Sequence, residues 1–254
     1  MSVKGIDVSQ WQGNIDFNKV KNSGIDFVII RAGYGRDISQ KDPYFEQNYS
    51  RARAAGLKIG VYWYSYAVSA DDAKREAQTC IQAIKGKKFE YPIYFDMEEK
   101  SQFARGMAFC DSIVTAFCTT LEQAGYFAGL YCSTGFLNGY VSETVRKRFA
   151  VWVAQWNSTC TYKSPYGIWQ YGTARVNGVV GDCDADIGYI DYPTIIKNAG
   201  LNGYTKTSAT PKSVEHTVTK TDTLSSIAKK YGVSVDDIVK KNNLIKTGQK
   251  LKIK

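Results

Sequence analysis

The chain has 254 residues, 44% hydrophobic and 22% charged, a composition that excludes a fibrous or intrinsically disordered protein. It contains no run of about 18 apolar residues, so we expect no membrane insertion. The net charge of +9 is uneven: residues 214–254 hold nine lysines against four acidic residues, which favours an anionic partner such as nucleic acid, a membrane surface or a bacterial wall polymer.

Apolar strand-like runs alternate with helical stretches as far as residue 201. The predicted strands cover residues 3–8, 26–32, 58–66, 91–97, 127–132, 150–155, 167–171 and 182–187, and the predicted helices cover 44–55, 71–84 and 108–124. Such alternation is typical of a parallel sheet covered by helices, and eight strands in about 200 residues favour a closed barrel. We therefore predict an α/β fold, an irregular TIM-like (β/α)-barrel. No glycine-rich phosphate loop follows the first strand, which argues against a dinucleotide-binding fold.

A polar, turn-rich segment at residues 202–213 separates this domain, residues 1–201, from a smaller one, residues 214–254. We interpret the segment as a flexible linker. The smaller domain has the predicted order strand 215–219, helix 224–231, helix 235–241 and strand 250–254. Asp222 and Thr223 precede the first helix, and Ser234 with Asp237 begins the second, as capping residues do. The sequence thus predicts a small βααβ domain.

The sharpest chemical signal is a pair of acids, Asp96 and Glu98, at the end of the fourth predicted strand. Because side chains alternate along a strand, both acids share a face with Tyr94, toward the barrel interior, while Phe95 faces the helices. Two carboxyl groups this close perturb each other, so one can stay protonated while the other ionises, as glycoside hydrolysis requires. The alternative is that the pair caps the next helix or binds a lysine.

Further acids and aromatic residues gather at the predicted strand ends. Asp7 ends the first strand, and Asp182, Asp184 and Asp186 lie on the last, which is the neighbour of the first in a closed barrel. Tyrosine and tryptophan side chains stack on sugar rings, so acids and aromatics at one mouth favour a carbohydrate cleft. We expect no metal ion and no other cofactor, because His216 is the single histidine and the remaining calcium-loop residues are missing.

Four ordered motifs carry a resemblance to a known family. They are residues 5–13 (GIDVSQWQG), 95–98 (FDME), 154–156 (AQW) and 169–171 (WQY), the last followed by the aspartate-rich strand. Together they resemble glycoside hydrolase family 25, the Chalaropsis-type lysozymes common among phage endolysins and bacterial autolysins. The resemblance spans residues 3 to 200. It implies a (β/α)-barrel that hydrolyses the β-1,4 bond between N-acetylmuramic acid and N-acetylglucosamine in peptidoglycan.

The same resemblance implies roles for individual residues. Glu98 would be the general acid, and Asp96 would orient the 2-acetamido group of the substrate or stabilise the positively charged sugar. Asp7 and Asp184 match the other cleft acids of the family. The family's last strand often reads Asp-x-Asn, which is altered here, so Asp182 or Asp186 could hold the place of Asp184. The predicted substrate-binding residues are Tyr62, Tyr64, Tyr131, Gln155, Trp169 and Gln170.

The C-terminal segment resembles a LysM module, on residues 217–228, 231–233, 242–243 and 248–251. LysM modules bind N-acetylglucosamine in peptidoglycan or chitin. The glycan-binding residues implied here are Asp222, Thr223, Leu224, Asn243 and Ile245. Two departures point to weaker binding: Thr221 stands where glycine is usual, and the loop after Asn243 is short. We expect bacterial wall peptidoglycan as the partner, and no nucleic acid.

Two other functions compete with a wall-anchored muramidase. One is another glycosidase, an N-acetylglucosaminidase or chitinase type; the fuller chitinase signature would need aspartates at Tyr91 and Tyr94, which counts against it. The other is a glycan binder without activity, and the presence of Asp7, Asp96 and Glu98 counts against that.

The N-terminal residues show no charged head followed by an apolar stretch, so we expect no signal peptide. This favours a phage endolysin, which stays in the host cytoplasm until it is released to the cell wall. A bacterial autolysin exported by another route, acting outside the cell or at the wall, is the alternative. The six cysteines form no Cys-x-x-Cys pair, and we expect buried reduced thiols, with a disulfide as the other option.

Overall fold

Eight strands of the N-terminal unit close into a barrel in chain order. The computed structural model describes residues 2–206 and 216–242, which belong to two units, Met1–Thr207 and Ser208–Lys254. The strands are β1 (Val3–Val8), β2 (Phe27–Tyr34), β3 (Lys58–Tyr64), β4 (Ile93–Asp96), β5 (Ala128–Ser133), β6 (Ala150–Ala154), β7 (Ile168–Arg175) and β8 (Asp182–Gly188). The predicted irregular (β/α)-barrel is confirmed.

The direction of β8 departs from a fully parallel barrel. Neighbouring strands from β1 to β7 are parallel, whereas β8 runs antiparallel to both β7 and β1. Residues 176–181, which join β7 to β8, are too few for the crossover that a parallel connection requires. The chain therefore returns as a hairpin, and β8 closes the barrel against β1 as its predicted neighbour.

Helices cover the outside of the barrel. They are α1 (Phe17–Asn22), α2 (Phe45–Ala54), α3 (Ala70–Ile84), α4 (Lys100–Phe103), α5 (Met107–Gln123), α6 (Thr134–Tyr140), α7 (Glu143–Arg148) and α8 (Tyr192–Ala199). The three predicted helices correspond to α2, α3 and α5. The other five were not predicted, since helices of four to eight residues contain too few apolar repeats for a clear period.

Strand alternation separates the apolar residues inside the barrel from those beneath the helices. Tyr94 packs inside, with its ring centroid 5.2 Å from that of Trp152. Phe95 packs outside against Phe117 of α5, with the centroids 4.7 Å apart. The predicted faces of β4 are therefore confirmed, and the same alternation carries Asp96 to the inner face, at the top of the interior core.

Glycines make room for large side chains inside the barrel. A Cβ atom on Gly129 of β5 would lie 2.5 Å from the ring of Tyr94, and one on Gly60 of β3 would lie 2.6 Å from Ile29. Small inward residues on one strand thus allow large ones on the next to fill the interior. The barrel is a packed core that supports its mouth.

Two helices form the described part of the C-terminal unit: α9 (Leu224–Tyr231) and α10 (Val235–Lys241). Their bounds match the predicted helices. The hydroxyl of Thr223 accepts the Ser226 N–H, and the hydroxyl of Ser234 accepts the Asp237 N–H, so both predicted caps are confirmed. Of the predicted flanking strands, residues 216–219 form no strand, and residues 215 and 250–254 lie outside the described residues.

The predicted linker begins too early by a few residues. Asn202 is buried, and its side chain donates to the Tyr91 carbonyl oxygen at 2.8 Å and accepts the Phe127 N–H at 2.7 Å. The Tyr204 hydroxyl donates to Glu90. These contacts belong to the barrel unit, so any free segment starts after Tyr204. No helix within residues 2–206 or 216–242 is both long and apolar enough to cross a bilayer.

Candidate active site

A cleft opens at the barrel mouth, where the C-terminal ends of β4 to β7 meet. The lining residues are Met97, Glu98, Tyr131, Ser133, Phe136, Ala154, Trp156 and Gln170. Barrels of parallel strands carry their functional groups at this face, on the strand ends and the loops that follow them. Both carboxylates of the Asp-x-Glu motif arrive here because β4 ends at Asp96.

Asp96 and Glu98 are two residues apart but have different surroundings. Asp96 is only 3% exposed, and its Oδ1 has no hydrogen-bond partner among the described residues. Burial raises the pKa of Asp96 well above its ordinary value, and the charge of Glu98 raises it further. Glu98 is exposed in the cleft, yet partial desolvation and the charge of Asp184 raise its pKa, against a hydrogen bond from Asp96 that lowers it. The pair therefore retains protons at a pH where isolated carboxyl groups have lost them.

Three further carboxyl groups meet where β8 closes against β1. Asp184 lies opposite Asp7 in the register of the two strands, and Asp186 lies one inward position deeper in the barrel. Asp186 is buried and accepts the Trp152 Nε1–H at 2.8 Å. Burial raises the pKa of each of the three carboxyl groups, and the charges of Asp186 and Asp184 add to the rise at Asp7. This seam is a second cluster of carboxyl groups with raised pKa values beside the first.

The three candidate aspartates of β8 occupy different depths. Asp182 is exposed and forms an ion pair with Arg175 at 3.2 Å, outside the cleft. Asp186 lies within the core. Asp184 is half-buried at the mouth, and its charge acts on Glu98. The structure thus brings Asp184 to the position that the sequence analysis gives it.

Gln170 connects Asp7 to the aromatic wall of the cleft. Its Nε2 donates to Asp7 Oδ2 at 2.8 Å, and its Oε1 accepts the Tyr131 hydroxyl at 2.9 Å and the Trp156 Nε1–H at 3.1 Å. Gln170 is buried, whereas the Trp156 ring is 64% exposed. The amide thereby fixes the orientation of Tyr131 and Trp156, of which the sequence analysis names only Tyr131 as a binding residue.

Tyr62 and Tyr64 both face the inner side of β3, as predicted for cleft residues. Tyr62 meets Trp152 edge-on, with ring centroids 6.1 Å apart. The Tyr64 hydroxyl donates to Glu99 Oε1 at 2.8 Å. Both tyrosines are half-buried, so part of each side chain remains open at the mouth.

Gln155 and Trp169 do not join the cleft. The Gln155 side chain exchanges two hydrogen bonds with Thr161, at 2.8 and 2.7 Å. Trp169 packs in the cluster outside the barrel, and its Nε1–H donates to the Gln155 carbonyl oxygen at 2.8 Å. Each residue is adjacent to an inward-facing neighbour, Ala154 or Gln170, and strand alternation turns it the other way. They hold the loop after β6 and contact no residue of the acid pair.

Arg31 is a cation at the mouth that the sequence analysis misses. It lies on β2 opposite Tyr62, and its Nε donates to Asp42 Oδ2 at 2.7 Å. Its charge opposes the rise in the pKa of Asp96. The sequence could have indicated this residue: Arg31 is charged inside an apolar strand, and it follows Phe27 and Ile29 at the two-residue spacing of the inner face.

The predicted glycan-binding residues of the C-terminal unit are only partly described. Asp222 Oδ2 accepts the Thr219 N–H at 2.7 Å and contacts His216 Nε2 at 3.0 Å; the first of these bonds is the main cause that lowers the pKa of Asp222 to about 2. Thr223 caps α9, and Leu224 is exposed at its first turn. Asn243 and Ile245 lie outside the described residues.

Two family models match the chain, one for each unit. The model for glycosyl hydrolases family 25 matches residues 6–179, and the model for the LysM domain matches residues 216–254. The first match covers well over half of the chain and includes Asp7, Asp96 and Glu98.

Curated relatives and solved structures agree with the first match. "Autolytic lysozyme" of Clostridium acetobutylicum is 31% identical over 206 residues, which are 79% of this chain and 61% of that protein. The modular autolysin LytC of Streptococcus pneumoniae is 27% identical with a TM-score of 0.67, over 74% of this chain and 47% of that one. The catalytic domain of endolysin ply40, from bacteriophage P40 of Listeria monocytogenes, shares the fold at 22% identity, with a TM-score of 0.62 over 77% and 97% of the chains.

This chain therefore spans about 61% of the length of the clostridial relative and less than half of the pneumococcal one. Its barrel, its acid pair and the family model agree with one another. The chain belongs to glycosyl hydrolases family 25.

Proposed function

We propose that the chain is a lysozyme, an N-acetylmuramidase that cleaves the β-1,4 bond between N-acetylmuramic acid and N-acetylglucosamine in peptidoglycan. The observation that carries this proposal is the Asp96–Glu98 pair at the mouth of a family 25 barrel, where both carboxyl groups have raised pKa values. Glycoside hydrolysis requires a carboxylic acid for the leaving group and a second group that supports the sugar cation.

The surroundings of the two carboxyl groups suggest how the work is divided. Glu98 is the one open to the cleft, so it is the group that protonates the leaving oxygen. Asp96 is buried and has a free Oδ1, which suits it to accept the N–H of the 2-acetamido group and orient that group toward the sugar carbon. Asp7 and Asp184 supply negative charge near the position where positive charge develops.

The substrate-binding walls follow from the same geometry. Tyr62 and Tyr64 form one side, and Tyr131 with Trp156 forms the other, held by Gln170. Aromatic rings with polar tips bind the apolar faces of sugars and still donate hydrogen bonds. Gln155 and Trp169 support the loop behind this second wall.

The proposal is tested by the new ends created in purified peptidoglycan. Fragments are reduced with borohydride and analysed by mass spectrometry. Reduced N-acetylmuramic acid at the new ends supports the muramidase. Reduced N-acetylglucosamine instead would assign an N-acetylglucosaminidase, and the absence of fragments would leave only a glycan binder.

A substitution of the acid separates catalysis from binding. In Glu98→Gln the amide cannot supply a proton, so release of reducing ends should fall by at least about 100-fold, the usual contribution of a general acid. Sedimentation with wall fragments should be unchanged. Near-normal hydrolysis by Glu98→Gln would show that another group is the acid.

We propose that residues 214–254 anchor the enzyme to N-acetylglucosamine-containing wall glycan, with residues 1–201 as the catalytic domain. The LysM match to residues 216–254 and the nine lysines of the segment support this. Wall binding by the full chain should then be displaced by N-acetylglucosamine oligomers. Displacement by anionic polymers alone would instead indicate a purely electrostatic attachment.

We propose an endolysin as the biological role, with an autolysin of the same activity as the alternative. The shared fold with a phage endolysin supports the first, and the relatives described as autolytic support the second. Loss of the gene separates the two roles. Blocked release of phage progeny would assign the endolysin, and impaired separation of uninfected daughter cells would assign the autolysin.

A further inference from the structure

A buried carboxylate outside the cleft holds the segment that follows β3. Glu76 of α3 is 2% exposed and has no ion-pair partner within the described ranges. Its Oε2 accepts the Ser65 hydroxyl at 2.7 Å, and its Oε1 accepts the Tyr66 N–H at 2.8 Å. A buried carboxylate without a cation is costly, so its two hydrogen bonds must stabilise a specific backbone conformation.

The hydrogen bonds around Ser65 allow one arrangement of protons. Its Oγ accepts the Ala67 N–H at 3.1 Å and the Gln102 Nε2–H at 3.1 Å. Both lone pairs of the hydroxyl are then used, and its own proton must go to Glu76. As a carboxylate, Glu76 accepts at both oxygens, from Ser65 at Oε2 and from the Tyr66 N–H at Oε1, whereas a proton on either oxygen would need an acceptor of its own. A neutral side chain that places a donor against Ser65 would break this arrangement.

Ser65 and Gln102 also connect this segment to the parts of the chain before and after Glu98. The Ser65 N–H donates to the Asp96 carbonyl oxygen at 3.0 Å. Gln102 lies on α4, immediately after Glu98 and Glu99, and also donates to the Ala67 carbonyl oxygen at 3.1 Å. Ser65 is therefore held from β4, which precedes Glu98, and from α4, which follows it.

The held segment is flanked by aromatic side chains at the cleft mouth. The rings of Tyr64 and Tyr66 lie 5.1 Å apart, and the Tyr64 hydroxyl donates to Glu99. Tyr66 is 51% exposed, and its backbone N–H donates a hydrogen bond to Glu76. The backbone that carries this aromatic pair is thus bonded to Glu76.

We propose that Glu76 is a positioning residue for glycan binding: as a carboxylate it holds the Ser65–Ala67 segment, and thereby the Tyr64 and Tyr66 rings, in the conformation that accepts the sugar chain. This rests on the proposed glycan hydrolysis. Glu76 touches no substrate in this proposal and acts through the backbone of Tyr66 and the hydroxyl of Ser65.

The electrostatics agree with this geometry. Burial raises the pKa of Glu76 to about 7, against the hydrogen bonds from Ser65 and Tyr66, which lower it. The other charged groups that act on it are Asp72 of the same helix, which raises its pKa, and Arg36 from the loop after β2, which lowers it. Glu76 is therefore a carboxylate above pH 7 and an acid below it, so the segment should loosen as the pH falls through this range.

The test compares Glu76→Gln with Glu90→Gln in the full chain. Glu90 is also buried and accepts hydrogen bonds from Arg53 and the Ile59 N–H, but it lies near the start of β4, away from the mouth. For Glu76→Gln we expect KM on soluble glycan fragments to rise about tenfold with kcat little changed, the pattern of lost ground-state binding. In Glu90→Gln both constants should stay near wild type.

The pH dependence provides a readout that a merely structural role would not change. The wild-type KM should rise as the pH falls through 7, whereas the KM of Glu76→Gln should be high and flat. Ser65→Ala removes the same hydroxyl bond and should raise KM in the same way, which keeps the test available if Glu76→Gln folds poorly. An unchanged KM and an unchanged pH dependence in folded Glu76→Gln would overturn the proposal.

Amide hydrogen exchange separates this inference from the proposed activity. The N–H groups of Tyr66 and Ala67 should exchange at least about tenfold faster in Glu76→Gln, since opening costs less when their acceptors are displaced. If the wild type releases no fragments from peptidoglycan, the proposed function fails, and exchange at these two amides decides the role of Glu76 by itself. Unchanged exchange would show that Glu76 does not hold the segment.

Discussion

The charge of Asp184 acts on Glu98, so the pKa of the proposed general acid depends on a residue of another strand. The carboxylate of Asp184 is one of the causes that raise the pKa of Glu98, after burial. A general acid must be protonated to work, so its activity falls as the pH rises through its pKa. The pH at which activity falls on the alkaline side therefore depends on Asp184, a residue of β8.

Asp184→Asn should move the alkaline limb of kcat/KM to lower pH. The neutral amide removes a charge that favours protonated Glu98, so the pKa of Glu98 falls and the acid form is lost earlier on the pH scale. The measurement is a pH profile on soluble glycan fragments. Asp182→Asn is the matched control, because Asp182 is exposed and pairs with Arg175, and its profile should match wild type. An unmoved limb in Asp184→Asn would remove Asp184 from the acid's surroundings.

At the scale of elements, packing inside the barrel depends on glycines as well as on large side chains. The ring of Tyr94 occupies the space that a side chain on Gly129 would need, and Tyr94 supports Asp96 two residues later on the same strand. The polypeptide backbones of β4 and β5 are paired at this level. An extra methyl group here therefore presses on the strand that carries the acid pair.

Gly129→Ala should destabilise the protein by about 1–3 kcal/mol, the usual cost of overpacking a core. The added Cβ would lie 2.5 Å from the Tyr94 ring and 2.9 Å from the Ala150 carbonyl oxygen. The denaturant midpoint of the full chain measures the loss. Gly135→Ala is the comparison, since nothing lies within 4 Å of its Cβ and alanine favours helix α6, so its midpoint should hold or rise. Equal midpoints for the two variants would contradict the packing argument.

Local pattern was enough to predict which way the β4 side chains face, because alternation depends only on neighbouring residues. It failed for the direction of β8, because strand alternation is the same in both directions and only the short 176–181 connection indicates a hairpin. It also failed for Gln155 and Trp169, where a motif identifies residues without their faces. Arg31 was not predicted, although the alternation of the apolar strand β2 places its one cation on the inner face.

At the scale of the whole molecule, charge is divided unequally between the two units. The excess of basic over acidic residues is nine in the whole chain and five in residues 214–254 alone, whereas carboxyl groups gather in the cleft of the barrel. The anionic wall polymer would therefore be attracted by one part of the chain, while the chemistry proposed for the other depends on short-range contacts. The two should respond differently to salt.

Wall binding should weaken with ionic strength, while cleavage of short soluble peptidoglycan fragments changes much less. Raising the ionic strength from about 0.01 M to about 0.1 M shortens the Debye length from about 30 Å to about 10 Å and screens the lysines from the wall. Sedimentation with purified walls and turnover of short soluble peptidoglycan fragments are measured in the same buffers. A parallel loss of both would show that salt acts on the barrel and not on attachment.

In the hairpin of β7 and β8, the position of Asp184 does not depend on the length of the turn that joins the two strands. Asp184 is held by its pairing with Asp7 on one side and Thr173 on the other, whereas Val180 in the turn is 80% exposed. Residues added at the exposed Val180 would lengthen the turn, while the pairing of both strands keeps Asp184 in place. The turn can therefore change in length while the paired acids keep their positions.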